Sequence, residues 1–442
     1  MVSLVFLIKK AGIRKLSPPL WVPMMWMIFM LSRSLTQWLE YRGDFSGMDA
    51  EMEGSPIDAA FLLILVILGL RILYVRKIDI KGVIKNSQVL IIFYGFALIS
   101  LLWADFPFIG LKRWIRWFGS LVMVFVILSD ESPKAAINSL IKRCAYILIP
   151  LSIIFVKFVP RLGRSYSRRG FADYHGVATH KNGYGVLLLI FGLYLTWELI
   201  NSWRRKDYPN RRKIRYINSI LLLVIFWQLF FIDSKTSIIC LLLGIGSLMW
   251  LSLPSSQKSP KRAKNYIIAF AIIVLILQQF VDIRSATISA ASRDPTLSDR
   301  ANLWAAVLAV PINPWIGTGW DNFWLGDRIV PIWERWQWQP RSAHNGYLEI
   351  YLYLGLAGIV LLLFVLLWIY KKSTALLVYD FEYGYLSLSF FIITLFYNYT
   401  ESGFHRMHPM WFFLLLFTCL PLPRKREKGE KENLLLSESD HF

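Results

Sequence analysis

The chain has 442 residues, of which 56% are hydrophobic and 16% are aromatic. A composition this apolar excludes an ordinary water-soluble domain, and runs of roughly 20 apolar residues are long enough to cross a membrane as helices. The formal net charge of +20 would suit a nucleic-acid partner, but most of the Lys and Arg residues lie in short hydrophilic connections, as in cytoplasmic loops of membrane proteins. We therefore predict membrane lipid as a partner and no nucleic acid.

The apolar runs recur along most of the chain, and in lipid their backbone groups are satisfied internally only when they are helical. We predict an all-α, polytopic membrane protein with about 12 transmembrane helices, forming a single domain over residues 1–423. The polar tail, 424–442, is predicted to be disordered. The predicted spans lie near residues 20–38, 57–75, 88–104, 111–129, 138–158, 182–201, 217–232, 236–253, 266–283, 346–370, 384–399 and 409–422.

The positions of Lys and Arg orient these spans. Connections dense in the two residues are assigned to the cytoplasm, at 71–81, 204–215, 256–264 and 424–431. Both termini then lie inside, and no cleavable signal peptide is predicted. The acidic connection 43–54 lies outside, as do two longer loops near 159–181 and 284–345. The second of these is far longer than an ordinary helix–helix connection, which favours a functional role.

The two long loops predicted to lie outside are rich in arginine. This is unexpected, because the positive-inside rule places most Lys and Arg residues on the cytoplasmic side. Between residues 284 and 344 the sequence has six arginines and no lysine. Because guanidinium groups recognise phosphate or carboxylate by two parallel hydrogen bonds, an anionic ligand is predicted on this side. The alternative is that these arginines contact lipid headgroups or stack on the many tryptophans of the loop.

The stretch RSAHNGYLE, residues 341–349, places polar side chains at the entrance of the tenth predicted span. Ionisable groups at such a position are costly unless they lie at the water boundary or take part in chemistry. Asn345 or Ser342 suits the helix N-cap. Glu349, further into the helix, is predicted to hold the imidazole of His344 in one tautomer, so that His344 acts as a general base.

Three further motifs place polar groups at the outer ends of spans. They are YHGVATHKNGYG (174–185), DSKTS (233–237) and NYTES (398–402). Helix capping is the alternative role for each of them. The histidine pairs 175/180 and 405/408 and the acidic run 49–53 lack a full ligand set, so no metal site is predicted. Three isolated cysteines in apolar stretches are predicted to be inert thiols.

The order of these motifs resembles the O-antigen ligase and Wzy-type polymerase superfamily. Within it, the chain is most similar to the ExoQ-like exopolysaccharide production proteins. The resemblance covers residues 20–420 or so, and AHNGYLEIYLYLGL (343–356) is its most specific part. The other matching segments are HKN (180–182), DSKTS, DRANLW (299–304), NPWIGTGW (313–320) and N.TES (398–402).

This resemblance implies a bacterial inner-membrane glycosyltransferase with a GT-C-like fold and an active site in one long periplasmic loop region. The implied donor is a glycan on undecaprenyl pyrophosphate, and the implied acceptor is a sugar hydroxyl of another glycan or of lipid A core. The expected reaction inverts the anomeric carbon and uses neither metal nor cofactor.

The family's functional residues are carried over only where its motifs match this sequence. The histidine that activates the acceptor matches His344, with Glu349 as the residue that orients it. The resemblance implies pyrophosphate-binding cations at Arg169, Arg300, Arg164, Arg341 and Lys235; many relatives have arginine in place of the last. Contacts that support the glycan or acceptor are expected from His180, Asn182, Asn345 and Glu401.

Three functions remain open at this point. The ExoQ-like similarity favours a polymerase of exopolysaccharide or O-antigen repeat units, and an O-antigen ligase acting on lipid A core is the alternative. A transporter or flippase of lipid-linked sugars is a further alternative from another class. Transporters typically have paired repeats and helices broken near the membrane midplane, and the sequence predicts neither.

Overall fold

The computed structural model describes residues 15–39, 54–166, 172–232, 234–259, 298–336 and 339–421. Helices account for most of these residues, and they pack around one apolar core. Helices of ten or more residues are labelled α1 (Trp21–Leu31), α2 (Pro56–Val75), α3 (Gln88–Ile99), α4 (Pro107–Leu128), α5 (Pro133–Phe158), α6 (Lys181–Arg204), α7 (Arg211–Ile232), α8 (Lys235–Leu251), α9 (Ser298–Ala309), α10 (Gly346–Tyr379), α11 (Phe381–Thr400) and α12 (Pro409–Thr418). Shorter helical segments are Pro18–Leu20, Leu35–Trp38, Ile80–Asn86, Ser100–Trp103, Pro160–Gly163, Pro254–Lys258, Asp327–Ile329 and Val330–Arg335.

The predicted class of helical, multi-pass membrane protein is confirmed by the described helices. Five of them are long and apolar enough to cross a membrane, namely α2, α5, α6, α7 and α10. Shorter apolar helices occur at Pro18–Leu31, Gln88–Trp103, Lys235–Leu251 and Pro409–Thr418. The predicted span 266–283 and the tail 424–442 lie outside the described residues. The count of twelve spans, the periplasmic loop and the domain limits stay predictions.

One short β-hairpin departs from the all-α prediction. Its strands, β1 (Arg164–Tyr166) and β2 (Ala172–Tyr174), pair antiparallel, with Arg164 opposite Tyr174. The hairpin belongs to the first long loop predicted on the outside, and it leads into α6 through the segment 175–180. Three-residue strands give only a weak sequence signal, which is why the loop was predicted without them.

The helices differ in how much of their surface the protein covers. Helix α6 is buried almost all round from Tyr184 to Glu198, which is the pattern of a helix in the centre of a bundle. Helix α2 instead exposes Leu63, Ile64 and Ile67, which suits a surface that faces lipid. Helix α6 is therefore surrounded by other helices, which contact it from several sides.

Helix α10 is broken at Gly355, which has φ +62° and ψ −159°. The segment 313–319 fills the break, because the amides of Leu356 and Ala357 donate to the carbonyls of Pro314 and Trp315 at 2.8 and 3.0 Å. In return, the amides of Thr318 and Gly319 donate to the Leu352 and Tyr353 carbonyls at 3.1 and 2.9 Å. The sequence analysis predicted no broken helix, so this is a correction. Non-helical backbone at membrane depth is tolerated where protein satisfies it, as here.

Two glycines permit this close approach between helix and loop. A Cβ on Gly355 would lie 2.3 Å from the Trp315 carbonyl carbon, and one on Gly317 would lie 2.5 Å from the Tyr353 carbonyl carbon. Both residues also have positive φ, at +62° and +66°, a conformation that glycine adopts without steric cost. Gly317 and Gly355 thus have a structural role, because they allow the loop to pack against α10.

We expect Gly355→Ala to destabilise the protein by at least about 1–2 kcal/mol, because alanine disfavours positive φ and its Cβ would overlap the loop backbone. Thermal unfolding of the detergent-purified protein measures this as a lower Tm. Gly95→Ala, in α3, is the matched control, since no described atom beyond its chain neighbours and its own helix backbone lies within 4 Å of the added Cβ. Equal Tm values for the two variants would contradict the described packing of the loop against α10.

Candidate active site

His344 lies in the turn that precedes α10 and has a positive φ of +49°. The next residue, Asn345, caps the helix, because its side chain accepts hydrogen bonds from the amides of Tyr347 and Leu348 at 3.0 and 3.1 Å. Ser342 accepts the His344 amide hydrogen bond at 3.1 Å. Of the two predicted N-caps, the structure selects Asn345, and both residues fix the turn that presents the imidazole.

The carboxylate against His344 is that of Glu401, at the end of α11. His344 Nδ1 lies 3.0 Å from Glu401 Oε2. Glu401 is 8% exposed, whereas about a third of the His344 side chain reaches solvent-accessible space. The predicted pairing of His344 with Glu349 is corrected by this contact: the partner comes from 57 residues further along the chain.

Glu349 has a different position because its side chain points into the protein core. It is completely buried, and its carboxylate accepts hydrogen bonds from Trp324 Nε1 at 3.0 Å and from the Ala343 amide at 2.6 Å. The second bond holds the residue directly before His344. Glu349 therefore anchors the turn through its backbone rather than orienting the imidazole.

Two further side chains hold the Glu401 carboxylate. Asn182 Nδ2 donates to Glu401 Oε1 at 2.9 Å, and Arg300 Nη2 lies 3.3 Å from the same oxygen. Arg300 Nη1 also donates to the Thr400 carbonyl at 2.7 Å. Residues from α6, α9 and the turn before α10 thus meet at the end of α11. The four that meet were all selected in the sequence analysis, namely Asn182, Arg300, His344 and Glu401.

The charges around this contact favour an ionised Glu401 carboxylate. Burial alone would raise the pKa of Glu401, but the hydrogen bond and charge of His344 and the charge of Arg300 outweigh it, so that the pKa lies below its ordinary value. Burial lowers the pKa of His180, and it lowers the pKa of His408 to about 4. Burial and the charge of Arg406 lower the pKa of His405 to about 3.

The His344 side chain opens into a cavity of about 670 Å³, a size typical of small-molecule sites. Polar and apolar side chains both line it, and they come from the ends of α1 and α11, the β-hairpin, the starts of α6 and α12, and the turn before α10. Polar residues that line it include His180, Asn182, His344, Glu401, Arg406 and His408. We call this space the His344 cavity.

The cations predicted to bind pyrophosphate do not form one cluster in the described structure. Arg164 donates to the Val156 carbonyl at 2.6 Å and lines a separate cavity. Arg341 lies over the Trp333 ring at 5.8 Å and lines another. Lys235 is exposed at the start of α8. Arg300 contacts Glu401, as described above, and Arg169 lies outside the described residues.

Arg406 is a site residue that the sequence analysis missed. Its Nε and Nη2 both lie 2.9 Å from the carboxylate of Asp321, which is fully buried and also contacts Arg113 Nη1 at 3.2 Å. Burial opposes ionisation of Asp321, but the two guanidinium groups outweigh it and hold its pKa well below the usual range. No spacing in the sequence links residues 113, 321 and 406, so only the fold could reveal this cluster.

Comparison with known proteins agrees with the motifs of the sequence analysis. Residues 220–363 match the family model of the O-antigen ligase domain, Wzy_C. Over 278 residues the chain is 22% identical to the exopolysaccharide production protein ExoQ of Rhizobium meliloti (strain 1021), and the alignment covers 61% of each chain. The chain therefore spans less than two thirds of that relative. Together these matches confirm the predicted resemblance of the chain to the O-antigen ligase and Wzy-type polymerase superfamily.

Proposed function

We propose that the chain is a glycosyltransferase of the bacterial inner membrane, with both termini in the cytoplasm. It transfers glycan from undecaprenyl pyrophosphate to a sugar hydroxyl on the periplasmic side, and so polymerises exopolysaccharide or O-antigen repeat units. The observation that carries the proposal is the 3.0 Å contact between His344 Nδ1 and Glu401 at the His344 cavity. The O-antigen ligase match includes His344 and supports this class of chemistry.

The geometry supports general-base catalysis by His344. With Nδ1–H donated to Glu401, Nε2 is the nitrogen that accepts the proton of the acceptor hydroxyl. The hydroxyl oxygen attacks the anomeric carbon of the donor while the bond from that carbon to the pyrophosphate oxygen breaks. Lipid pyrophosphate leaves with the bonding electrons, and the anomeric configuration inverts.

Glu401 stabilises the charge that forms on the imidazole during this step. Its own charge is retained because Arg300 and Asn182 hold the carboxylate in place. Arg300 therefore has a positioning role in this proposal, in place of the pyrophosphate contact expected from the resemblance. The leaving group's negative charge needs other cations, and preorganised cations are an effective way to stabilise it.

Two alternatives differ in how well the structure supports them. An O-antigen ligase would use the same site with lipid A core as acceptor. A transporter or flippase would be favoured by the broken helix α10, but loop backbone at 313–319 fills that break. The transferase proposal is therefore preferred.

We expect His344→Ala to lower the transfer rate by roughly a hundred- to ten-thousand-fold, the range typical of a lost general base. Protein yield and Tm should change little, because the imidazole is partly exposed. The assay is product formation from a lipid-linked oligosaccharide in proteoliposomes. His175→Ala is the control, since His175 lies in the loop before α6 and outside the His344 cavity lining. Normal transfer by His344→Ala would place the base elsewhere.

Glu401→Gln and Glu349→Gln should separate catalysis from stability. Glu401→Gln removes the charge that supports the imidazolium, so the rate per folded molecule should fall on the order of 10²–10⁴-fold, more than the modest loss of Tm from the missing ion pairs would explain. Glu349→Gln alters a core hydrogen-bond network, so Tm should fall and the rate per folded molecule should stay closer to wild type. The reverse pattern would restore Glu349 as the partner of His344.

Stability should depend on acid pH through Glu401. A carboxyl whose folded pKa lies below its unfolded value, which is about 4.3 for Glu, stabilises the fold fully above that value. This contribution disappears as pH falls through the lower, folded pKa. We expect Glu401→Gln to show a smaller loss of Tm between pH 7 and pH 3.5 than wild type. An identical loss in both proteins would contradict the described contacts of Glu401.

A further inference from the structure

A small cavity of about 150 Å³ lies between the β-hairpin, the last turns of α5 and α7, and the start of α6. Arg164 and Tyr174 line it, whereas the next pair of the hairpin, Ser165 and Asp173, lines the His344 cavity. Alternate residues of a strand point to opposite faces, and no described residue lines both cavities. The hairpin therefore separates the two spaces, and we call the smaller one the hairpin pocket.

Hydrogen-bond donors without partners among the described residues line the hairpin pocket. Arg164 donates from Nε to the Val156 carbonyl at 2.6 Å, and no described group accepts from its two Nη atoms. Gln228 is buried, and its Nε2 also has no described partner. Its Oε1 accepts from the Tyr184 hydroxyl at 2.6 Å, which fixes the amide. A buried donor without a partner is costly, so these groups favour a ligand that accepts hydrogen bonds.

The charges at the hairpin pocket favour an anionic ligand. Arg164 and Lys157 both line it, and no described carboxylate does. Each of the two cations lies over an aromatic ring, Tyr174 at 5.3 Å and Trp227 at 5.3 Å respectively, and neither forms an ion pair with a described residue. A guanidinium group binds phosphate through two parallel hydrogen bonds, and the two Nη atoms of Arg164 are available for them.

The surroundings of the hairpin pocket favour a lipid. Trp227 and Phe231 line it and are exposed, as are the neighbouring Phe158 and Phe230. Exposed apolar side chains on a membrane protein suit contact with acyl chains, and tryptophan is frequent at the level of lipid headgroups. The volume of the pocket equals that of about five water molecules, which is enough for a phosphate group but too small for a whole lipid. The acyl chains would therefore lie outside, against the exposed side chains.

The reacting donor places its pyrophosphate elsewhere. In the proposed reaction the bond that breaks joins the anomeric carbon directly to a pyrophosphate oxygen, so the pyrophosphate lies in the same cavity as His344. The hairpin stands between that cavity and the hairpin pocket. An anion in the hairpin pocket is then a second ligand. This step alone rests on the proposed function, whereas the unpartnered donors and the two cations do not.

We propose that the hairpin pocket binds the phosphate of a membrane phospholipid, whose acyl chains lie along the exposed side of α7. The phosphate oxygens accept hydrogen bonds from the Nη groups of Arg164 and from Nε2 of Gln228, and Lys157 adds a charge at the rim. Basic pockets between membrane helices bind lipid headgroups in this way. Because Gln228 also holds Tyr184 of α6, the bound lipid connects the hairpin to α6 and α7.

Lipid titration of the delipidated, detergent-purified full chain tests the proposal, with native mass spectrometry as the measurement. The probes are dioleoylphosphatidylglycerol and dioleoylglycerol, which has the same acyl chains and no phosphate. We expect the phospholipid to bind at least about tenfold more tightly, because a hydrogen bond to a charged group contributes a factor of this size. Arg164→Gln should remove most of this preference. If that variant fails to fold, Lys157→Gln, at an exposed position, should reduce the preference.

Arg335→Gln is the matched control. Arg335 is an exposed arginine in the other loop predicted to lie outside, it lies over the Trp336 ring at 4.9 Å, and it lines none of the four described cavities. This variant should keep the wild-type preference for the phospholipid. Equal affinities of the wild-type protein for the two probes would overturn the proposal, and so would equal losses in Arg335→Gln and Arg164→Gln.

Undecaprenyl pyrophosphate is the other lipid that carries phosphate, and competition distinguishes it. We expect it to bind equally to the wild-type protein and to Arg164→Gln. Displacement of phosphatidylglycerol by undecaprenyl pyrophosphate that is lost in Arg164→Gln would assign the hairpin pocket to the donor and overturn the proposal. Transfer in proteoliposomes reports separately: a phosphate preference without His344-dependent transfer contradicts the proposed function, whereas transfer without the preference contradicts the phospholipid site.

Discussion

The candidate site depends on one buried negative charge, the carboxylate of Glu401. A charge removed from water is costly unless other groups pair with it and hydrogen-bond it. His344, Arg300 and Asn182 do this from three different parts of the chain. Because each partner is fixed by the same carboxylate, α6, α9 and α10 are placed relative to the end of α11, and the imidazole is placed with them.

The sequence was sufficient to predict the membrane class, the helix that begins after His344 and a cap at Asn345 or Ser342, because these depend on local composition and spacing. The sequence was insufficient to identify the carboxylate that contacts His344. Glu349 has favourable spacing in the sequence, but its core-facing position at the start of α10 was not visible there. Glu401 lies 57 residues away and is brought close only by the packing of α11 against α10.

The arginines illustrate the same limit in a different way. Their number in the two predicted outside loops indicated an anionic ligand, but no spacing in the sequence tells which of them meet. Arg300 contacts Glu401, and Arg164 donates a hydrogen bond to a backbone carbonyl. Arg341 lines a cavity together with cations of α4, which do not belong to the two predicted loops. Charged residues on different helices can lie close together without any regular spacing in the sequence. Such clusters are therefore found only once the fold is known.

The break in α10 has a consequence for how substrates enter. Four backbone hydrogen bonds join the segment 313–319 to the two halves of the helix. Lifting that segment would leave all of these donors and acceptors without partners in an apolar setting, at a cost of several kcal/mol for each group. The segment 313–319 is therefore held in place against α10. A lipid-linked donor would therefore reach His344 with this stretch of the loop held in place.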